Sequence, residues 1–220
     1  MATVCITGAN RGIGLEMARR CHGRGDEVVA ACRASSDALI DLGVEVVEGV
    51  DVTDDDSVAM LADAIGGRSL DILINNAGLL TDENLQDLEF DRIRRQFEIN
   101  SLGPLRVTAA LRGSLGHGSK VAIVTSRMGS IEDNTSGGRY GYRMSKAAVN
   151  MAGRSLAHDL ASDGVAVVIL HPGFVRTDMT GNQGLVDAPE SAAGLIARID
   201  ELTLESTGLF FHANGERLPW

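Results

Sequence analysis

Seven short apolar runs recur along the chain, with segments of helical composition between most of them. They are Thr3 to Thr7, Glu27 to Cys32, Val44 to Glu48, Leu70 to Ile74, Lys120 to Thr125, Val165 to Leu170 and Leu209 to Phe211. Strands that alternate with helices in this way pair in parallel, and a parallel sheet is covered on both faces. The pattern predicts an α/β fold: a doubly wound parallel sheet of about seven strands with helices on both faces. A chain of 220 residues can bury one continuous core. No linker, repeat or low-complexity stretch divides it, so residues 1–220 are expected to form a single domain.

Several classes of function are set aside by charge and motif. The net charge of −10 and the pI near 4.9 disfavour a nucleic-acid surface, which needs clustered Lys and Arg along the phosphates. Cys5, Cys21 and Cys32 cannot all pair internally and show no framework spacing, so they read as apolar filler in a reducing compartment. No basic segment precedes an apolar one at the N-terminus, and no apolar run is long enough to span a bilayer. The expectation is a soluble, cytoplasmic protein without membrane partners. The five histidines form no ligand cluster, His171 before Pro172 reads as structural, and no metal is expected. The acidic run Asp51-Val-Thr-Asp-Asp-Asp-Ser57 reads as a strand end and a helix start capped by Thr53.

The turn after the first run is Gly8-Ala-Asn-Arg-Gly-Ile-Gly14, followed by helical composition from Ile13 to Cys21. Gly8, Gly12 and Gly14 lack the Cβ that would keep backbone amides away from a pyrophosphate, and a helix start offers unpaired N–H groups and positive potential. Asn10, Arg11 and Ile13 complete this dinucleotide-binding turn. The nucleotide is chosen at the end of the second run, where a carboxylate would hold a ribose 2′-hydroxyl and an arginine suits a 2′-phosphate. Cys32 and Arg33 stand there, and Arg11 can add a second guanidinium. NADP(H) is therefore preferred, with NAD(H) as the alternative. The loops from Thr125 to Tyr140 and from Pro172 to Gly184 also follow strands, so they should converge with the Gly-rich turn on one crevice.

Tyr142 and Lys146 stand at i and i+4 ahead of a helical segment that runs to Ala161, a spacing that makes phenol and ammonium neighbours. The competing reading is a half-buried aromatic beside a snorkelling lysine. Tyr140 has Met144 four residues on and reads as packing or a pocket wall.

Taken together, Thr7-Gly-Ala-Asn-Arg-Gly-Ile-Gly14, Asp51-Val52, Asn75-Asn-Ala-Gly78, Asn100, Ser126, Tyr142-x-x-x-Lys146 and Pro172-Gly173 leading to Thr177 resemble the short-chain dehydrogenase/reductases of the classical type. More narrowly, the stretch Thr125 to Met151 and the ending Gly-Glu-Arg-Leu-Pro-Trp220 resemble the carbonyl reductases related to C-factor and sniffer. The resemblance implies a Rossmann-type fold in which Asp51 and Val52 contact the adenine and Asn76, Ala77 and Gly78 line the cofactor. It implies that Thr177 reaches the nicotinamide carboxamide from a loop holding Pro172, Gly173 and Val175. It places Lys146 on the nicotinamide ribose and gives Asn100 a water linking Lys146 to solvent. The competing reading of Asn100 is a side chain that satisfies local helix backbone.

Reducing a carbonyl builds negative charge on its oxygen, which calls for a proton donor and a hydrogen-bonding partner. Tyr142 is expected to be the donor, its pKa lowered by the Lys146 ammonium. Ser126 is expected to be the partner, with Ser130 as the weaker candidate. Met128, Ile131, Phe174 and Met179 are candidate walls for a small, mostly apolar ketone or aldehyde, although loop packing would explain Ile131 and Met179 equally well. The implied activity is an NADPH-dependent carbonyl reductase. The rivals are an NAD-dependent alcohol dehydrogenase and a nucleotide-binding signalling protein of C-factor type with incidental catalysis. A second helix face carries Met144, Ala148, Met151 and Ser155, which predicts a homodimer unless a helix of the same chain covers it.

Overall fold

The structure is a computed structural model describing Met1–Trp220. Seven parallel strands form the main sheet: β1 (Thr3–Thr7), β2 (Glu27–Cys32), β3 (Glu45–Glu48), β4 (Leu70–Asn75), β5 (Leu115–Val124), β6 (Ala166–His171) and β9 (Leu209–His212). A two-residue pair, β7 (Val175–Arg176) and β8 (Val186–Asp187), stands apart from it. The helices are α1 (Gly12–Gly23), α2 (Asp37–Ile40), α3 (Asp55–Ile65), α4 (Phe90–Phe97), α5 (Gly103–Ala110), α6 (Tyr140–Asp159) and α7 (Ala188–Asp200). The order β3-β2-β1-β4-β5-β6-β9 makes this a Rossmann-type doubly wound sheet.

Side chains alternate across a strand, so each strand feeds two cores. Val4 and Ile6 of β1, with Val28, Ala30, Ile72 and Ile74, pack against Met17 and Cys21 of α1 and Leu195 and Ile199 of α7. Cys5, Val29, Leu73, Val121 and Ile123 face the other way, onto Leu61 and Ile65 of α3, Val107 of α5 and Val149 of α6. Both layers are apolar, which explains why the strands read as continuous runs. Burial pushes the Cys5 thiol up to about 12 and Cys21 up to about 11, as suits inert filler.

Local chemistry moves some boundaries. Thr53 does not cap α3: its amide and hydroxyl both bond Asp51 Oδ1 (3.0 and 2.8 Å), and Asp54 caps the helix by accepting from Ser57 N at 2.8 Å. The loop after Pro172 contains β7, which pairs with β8. Helix α6 begins at Tyr140, so Tyr142 lies within its first turn. Met144 and Met151 stay 50% and 68% exposed, so no helix of the same chain covers that face. No helix is long and apolar enough to cross a membrane.

Candidate active site

All seven main strands run in one direction, so the turns leaving them meet along one edge. Strand order reverses around β1 and β4, and the turns after these two strands are stitched together. Thr7 Oγ1 accepts from the amides of Asn76 (3.1 Å) and Ala77 (3.2 Å), while Asn76 Nδ2 donates to the carbonyls of Thr7 (3.0 Å) and Gly8 (3.1 Å). The approach demands glycine. A Cβ on Gly8 (φ 66°) would stand 2.9 Å from Ala77 Cα, and one on Gly14 would overlap the Gly8 carbonyl oxygen.

Above this junction lies a groove of about 790 Å³. It is lined by Gly8, Asn10, Arg11, Gly12, Ile13, Gly14, Arg33, Asp51, Val52, Asn76, Ala77, Gly78 and Thr177, all expected from the sequence. Its floor fits a dinucleotide. Helix α1 has no side-chain cap and no acidic residue in its first turn, so its leading amides face the groove unopposed. Burial alone would raise the Asp51 carboxyl, but hydrogen bonds from Thr53 and the charges of Arg33 and Arg95 carry it below its ordinary value.

Five expected cofactor residues do not line the groove: Pro172, Gly173, Val175, Tyr142 and Lys146. Val175 is buried beneath it, Gly173 packs toward Val186 and His212, and the Pro172 carbonyl accepts from Ser191 Oγ of α7 at 2.7 Å. These three shape the loop that presents Thr177. Arg11 pairs with Asp178 across the groove at 3.2 Å, whereas Arg33 forms no ion pair. Arg95 of α4 lines the same end without a carboxylate partner and was missed in the sequence, as were Leu79, Ile99, Asp178 and Asn182.

Beside Gly78, at the end of the groove and outside its lining, stands Lys146. This side chain is 4% exposed, and its ammonium has one protein acceptor, the Val124 carbonyl at 3.0 Å. An ammonium carries three donors, so two remain for a ligand, and a Cβ on Gly78 would stand 3.8 Å from Nζ. Burial pulls the Lys146 pKa down to about 8. Nζ lies 5.7 Å from the centre of the Tyr142 ring.

The sequence assigned the lowering of Tyr142 to this ammonium; the structure differs. Burial raises the phenol above its ordinary value, opposed by a hydrogen bond with Ser126 and by the charge of Arg139. The physical reason is that Lys146 turns its Nζ, 5.7 Å from the centre of the Tyr142 ring, to the Val124 carbonyl, while burial acts on the phenol directly. Ser126 follows the end of β5 by two residues and is almost wholly buried, and its Oγ accepts from Met128 N at 3.2 Å. Ser130, the weaker candidate, is already engaged: its hydroxyl donates to the Trp220 oxygen (2.9 Å) and accepts from Asp133 N (3.1 Å).

Asn100 sits in a π-helical turn, Glu98–Leu102, between α4 and α5, fully buried. It does not satisfy its own helix. Its Oδ1 accepts from Leu79 N (2.8 Å), and Nδ2 donates to the Leu79 carbonyl (2.8 Å) and to Ser145 Oγ (3.0 Å). Ser145 Oγ in turn donates to the Tyr142 carbonyl at 2.9 Å, so Asn100 ties the loop after β4 to the turn of α6 that carries Tyr142. His171 stays neutral, its pKa pushed down to about 3 by burial, and stands edge-on to His212 with ring centres 4.9 Å apart. Among the candidate walls, Met179 lines the groove, Met128 is half-buried, Phe174 is 48% exposed and Ile131 is 83% exposed. Loop packing does not account for Ile131.

A parallel sheet with a Gly-cradled groove at its strand ends, and a buried lysine and a half-buried tyrosine beside it, defines an NAD(P)-dependent oxidoreductase. The short chain dehydrogenase family model matches residues 2–186, and the chain belongs to that family. It is 47% identical over 226 residues to 1-hydroxy-2-glutathionyl-2-methyl-3-butene dehydrogenase of Rhodococcus sp. strain AD45, covering all of both chains. It is 49% identical over 154 residues to C-signal of Myxococcus xanthus, covering 69% of this chain and 93% of that one. The NADPH-bound carbonyl reductase from chicken fatty liver superposes with a TM-score of 0.91 at 28% identity, covering 100% and 99% of the two chains. The carbonyl reductase Sniffer of D. melanogaster does so with a TM-score of 0.92 at 29% identity, covering both entirely.

Proposed function

We propose that the chain is an NADPH-dependent carbonyl reductase, its residues 1–220 one catalytic domain acting on a small, mostly apolar ketone or aldehyde. One observation carries this reading: a buried ammonium, Lys146, keeps two donors free next to Gly78 of the nucleotide groove, with the Tyr142 ring beside it. When bound, the reduced nicotinamide supplies the hydride. The chain supplies the rest. The carbonyl oxygen gains negative charge, and Ser126, oriented by the Met128 amide, donates a hydrogen bond to it. Tyr142 donates the proton; the burial that raises its pKa keeps it protonated and loaded. The free donors of Lys146 suit ribose hydroxyls and would orient the nicotinamide beside Tyr142. Asn100 fixes the turn that holds Tyr142, and the water it would hold refills the proton.

The test is a panel of aldehydes, ketones and quinones screened for NADPH oxidation, with Tyr142→Phe as the blank. A panel in which nothing turns over above that blank defeats the reading. For the cofactor, Arg33 and Arg95 offer unpaired guanidinium groups at the adenosine end. Losing one charge-assisted contact should weaken NADPH by about tenfold in Arg33→Ala while leaving NAD unchanged. Calorimetric titration checks this, and equal affinities in the variant and the parent argue against NADP.

The Rhodococcus relative is named as the dehydrogenase of a hydroxy compound, which favours as second reading an alcohol dehydrogenase, for which we take NAD as the cofactor. Tighter NAD than NADP binding in the same titration selects it. The C-signal likeness favours a signalling role with incidental catalysis, which a Tyr142→Phe chain that keeps its biological role would support. The exposed Met144 and Met151 face supports a homodimer, and sedimentation should return twice the 23.2 kDa chain mass.

A further inference from the structure

The chain after β9 doubles back on itself. His212 N donates to the Glu216 carbonyl (2.8 Å) and Leu218 N to the Phe210 carbonyl (2.8 Å), with Leu218 buried against Ile169 and Phe210. This return carries Trp220 onto Phe210, the two rings stacked with centres 5.4 Å apart. It also carries Trp220 to the loop that follows Ser126. The Trp220 main-chain oxygen accepts from Ser130 Oγ (2.9 Å), Ile131 N (2.5 Å) and Glu132 N (3.3 Å). Closer to β9, both Glu216 carboxylate oxygens lie 3.0 Å from Arg127 Nη2.

On its inner side the same loop is wedged against α6: a Cβ on Gly129 would stand 2.7 Å from the Lys146 carbonyl carbon. Residues 127–132 are therefore gripped between the helix bearing Tyr142 and Lys146 and the returning tail. Ser130 is 2% exposed, and neither its hydroxyl hydrogen nor the Ile131 amide has another acceptor. Without the Trp220 oxygen, a buried donor loses its partner, and such a loss costs more than the bond itself contributes.

We propose that Trp220 is a positioning residue for the Ser126 loop: its ring docks on Phe210 and its oxygen gathers Ser130 and Ile131, which sets where Ser126 and Met128 stand against the substrate. This rests on the proposed role of Ser126. Four chains decide it: the full chain, one ending at Pro219, Trp220→Ala and Trp220→Phe. In the chain ending at Pro219, amide exchange at Ile131 and Glu132 should quicken by roughly tenfold while peptides from β1 and β4 keep their protection. For the best substrate of the panel, kcat/KM should fall by roughly tenfold to a hundredfold, since small displacements of a positioned group carry costs of that size. NADPH affinity should stay within about twofold, the groove being a separate region. Trp220→Phe keeps ring and oxygen and should restore both readouts, with Trp220→Ala in between. The proposal is overturned by unchanged exchange at Ile131, by a loss of protection spread over every peptide, or by a Trp220→Phe chain as impaired as the shortened one. Should no carbonyl be turned over, the reductase reading fails while the exchange measurement still decides the tether.

Discussion

Replacing Tyr142 with Phe is expected to lower kcat by roughly 10²- to 10⁴-fold, the range set by removal of a positioned general acid. The substitution keeps the ring and deletes one hydroxyl, so packing on α6 and the Ser145 bond to the Tyr142 carbonyl should persist. NADPH affinity should therefore stay close to that of the parent. Ser126, left with a substrate oxygen but no proton donor, should support only residual turnover. Steady-state rates at saturating NADPH, paired with a fluorescence titration of the cofactor, separate the two effects. A variant retaining more than about a tenth of the parental kcat identifies another donor.

Replacing Lys146 with Met is expected to act in opposite directions on activity and stability. Activity should fall steeply, because the donors that would hold the nicotinamide ribose beside Tyr142 are gone. Stability should rise. The folded chain holds Lys146 at about 8 against an ordinary 10.5, so on descending pH the unfolded chain takes up its proton first. The resulting penalty grows as pH falls from 10.5 to 8 and is complete below 8. It amounts to something on the order of 3 kcal/mol, offset by about 1 kcal/mol for the Val124 carbonyl left without its donor. The cofactor-free variant should thus be the more stable chain at pH 7, with its advantage shrinking toward pH 10. Urea unfolding at both values reads this out. A variant less stable than its parent at pH 7, or a difference that ignores pH, contradicts the burial assigned to Lys146.

The main sheet was legible because strands buried on both faces stay apolar along their length, as Val4 to Ile6 and Val165 to Leu170 do. The two-residue strands β7 and β8 were not, since two residues carry no periodicity. Most of the cofactor groove was legible because glycines and strand ends mark it. Arg95 was hidden, because nothing in the composition of α4 shows which residue turns toward the groove. Asn100 was found by likeness, but its bonds to Leu79 and Ser145 depend on a π-helical turn that no pattern announces. The expected effect of Lys146 on Tyr142 failed for an electrostatic reason: spacing brings the two groups together, while burial, which spacing cannot measure, governs both titrations.

The strand direction described above has a practical side. Every residue assigned to chemistry sits at one rim of the molecule, and the opposite rim is closed by short turns at Gly25, Gly43 and Gly67, with open space around each. A fusion partner, a fluorophore or a solid support attached there would approach neither the groove nor the tail at Trp220. The molecule thus comes with a handle built opposite its working end.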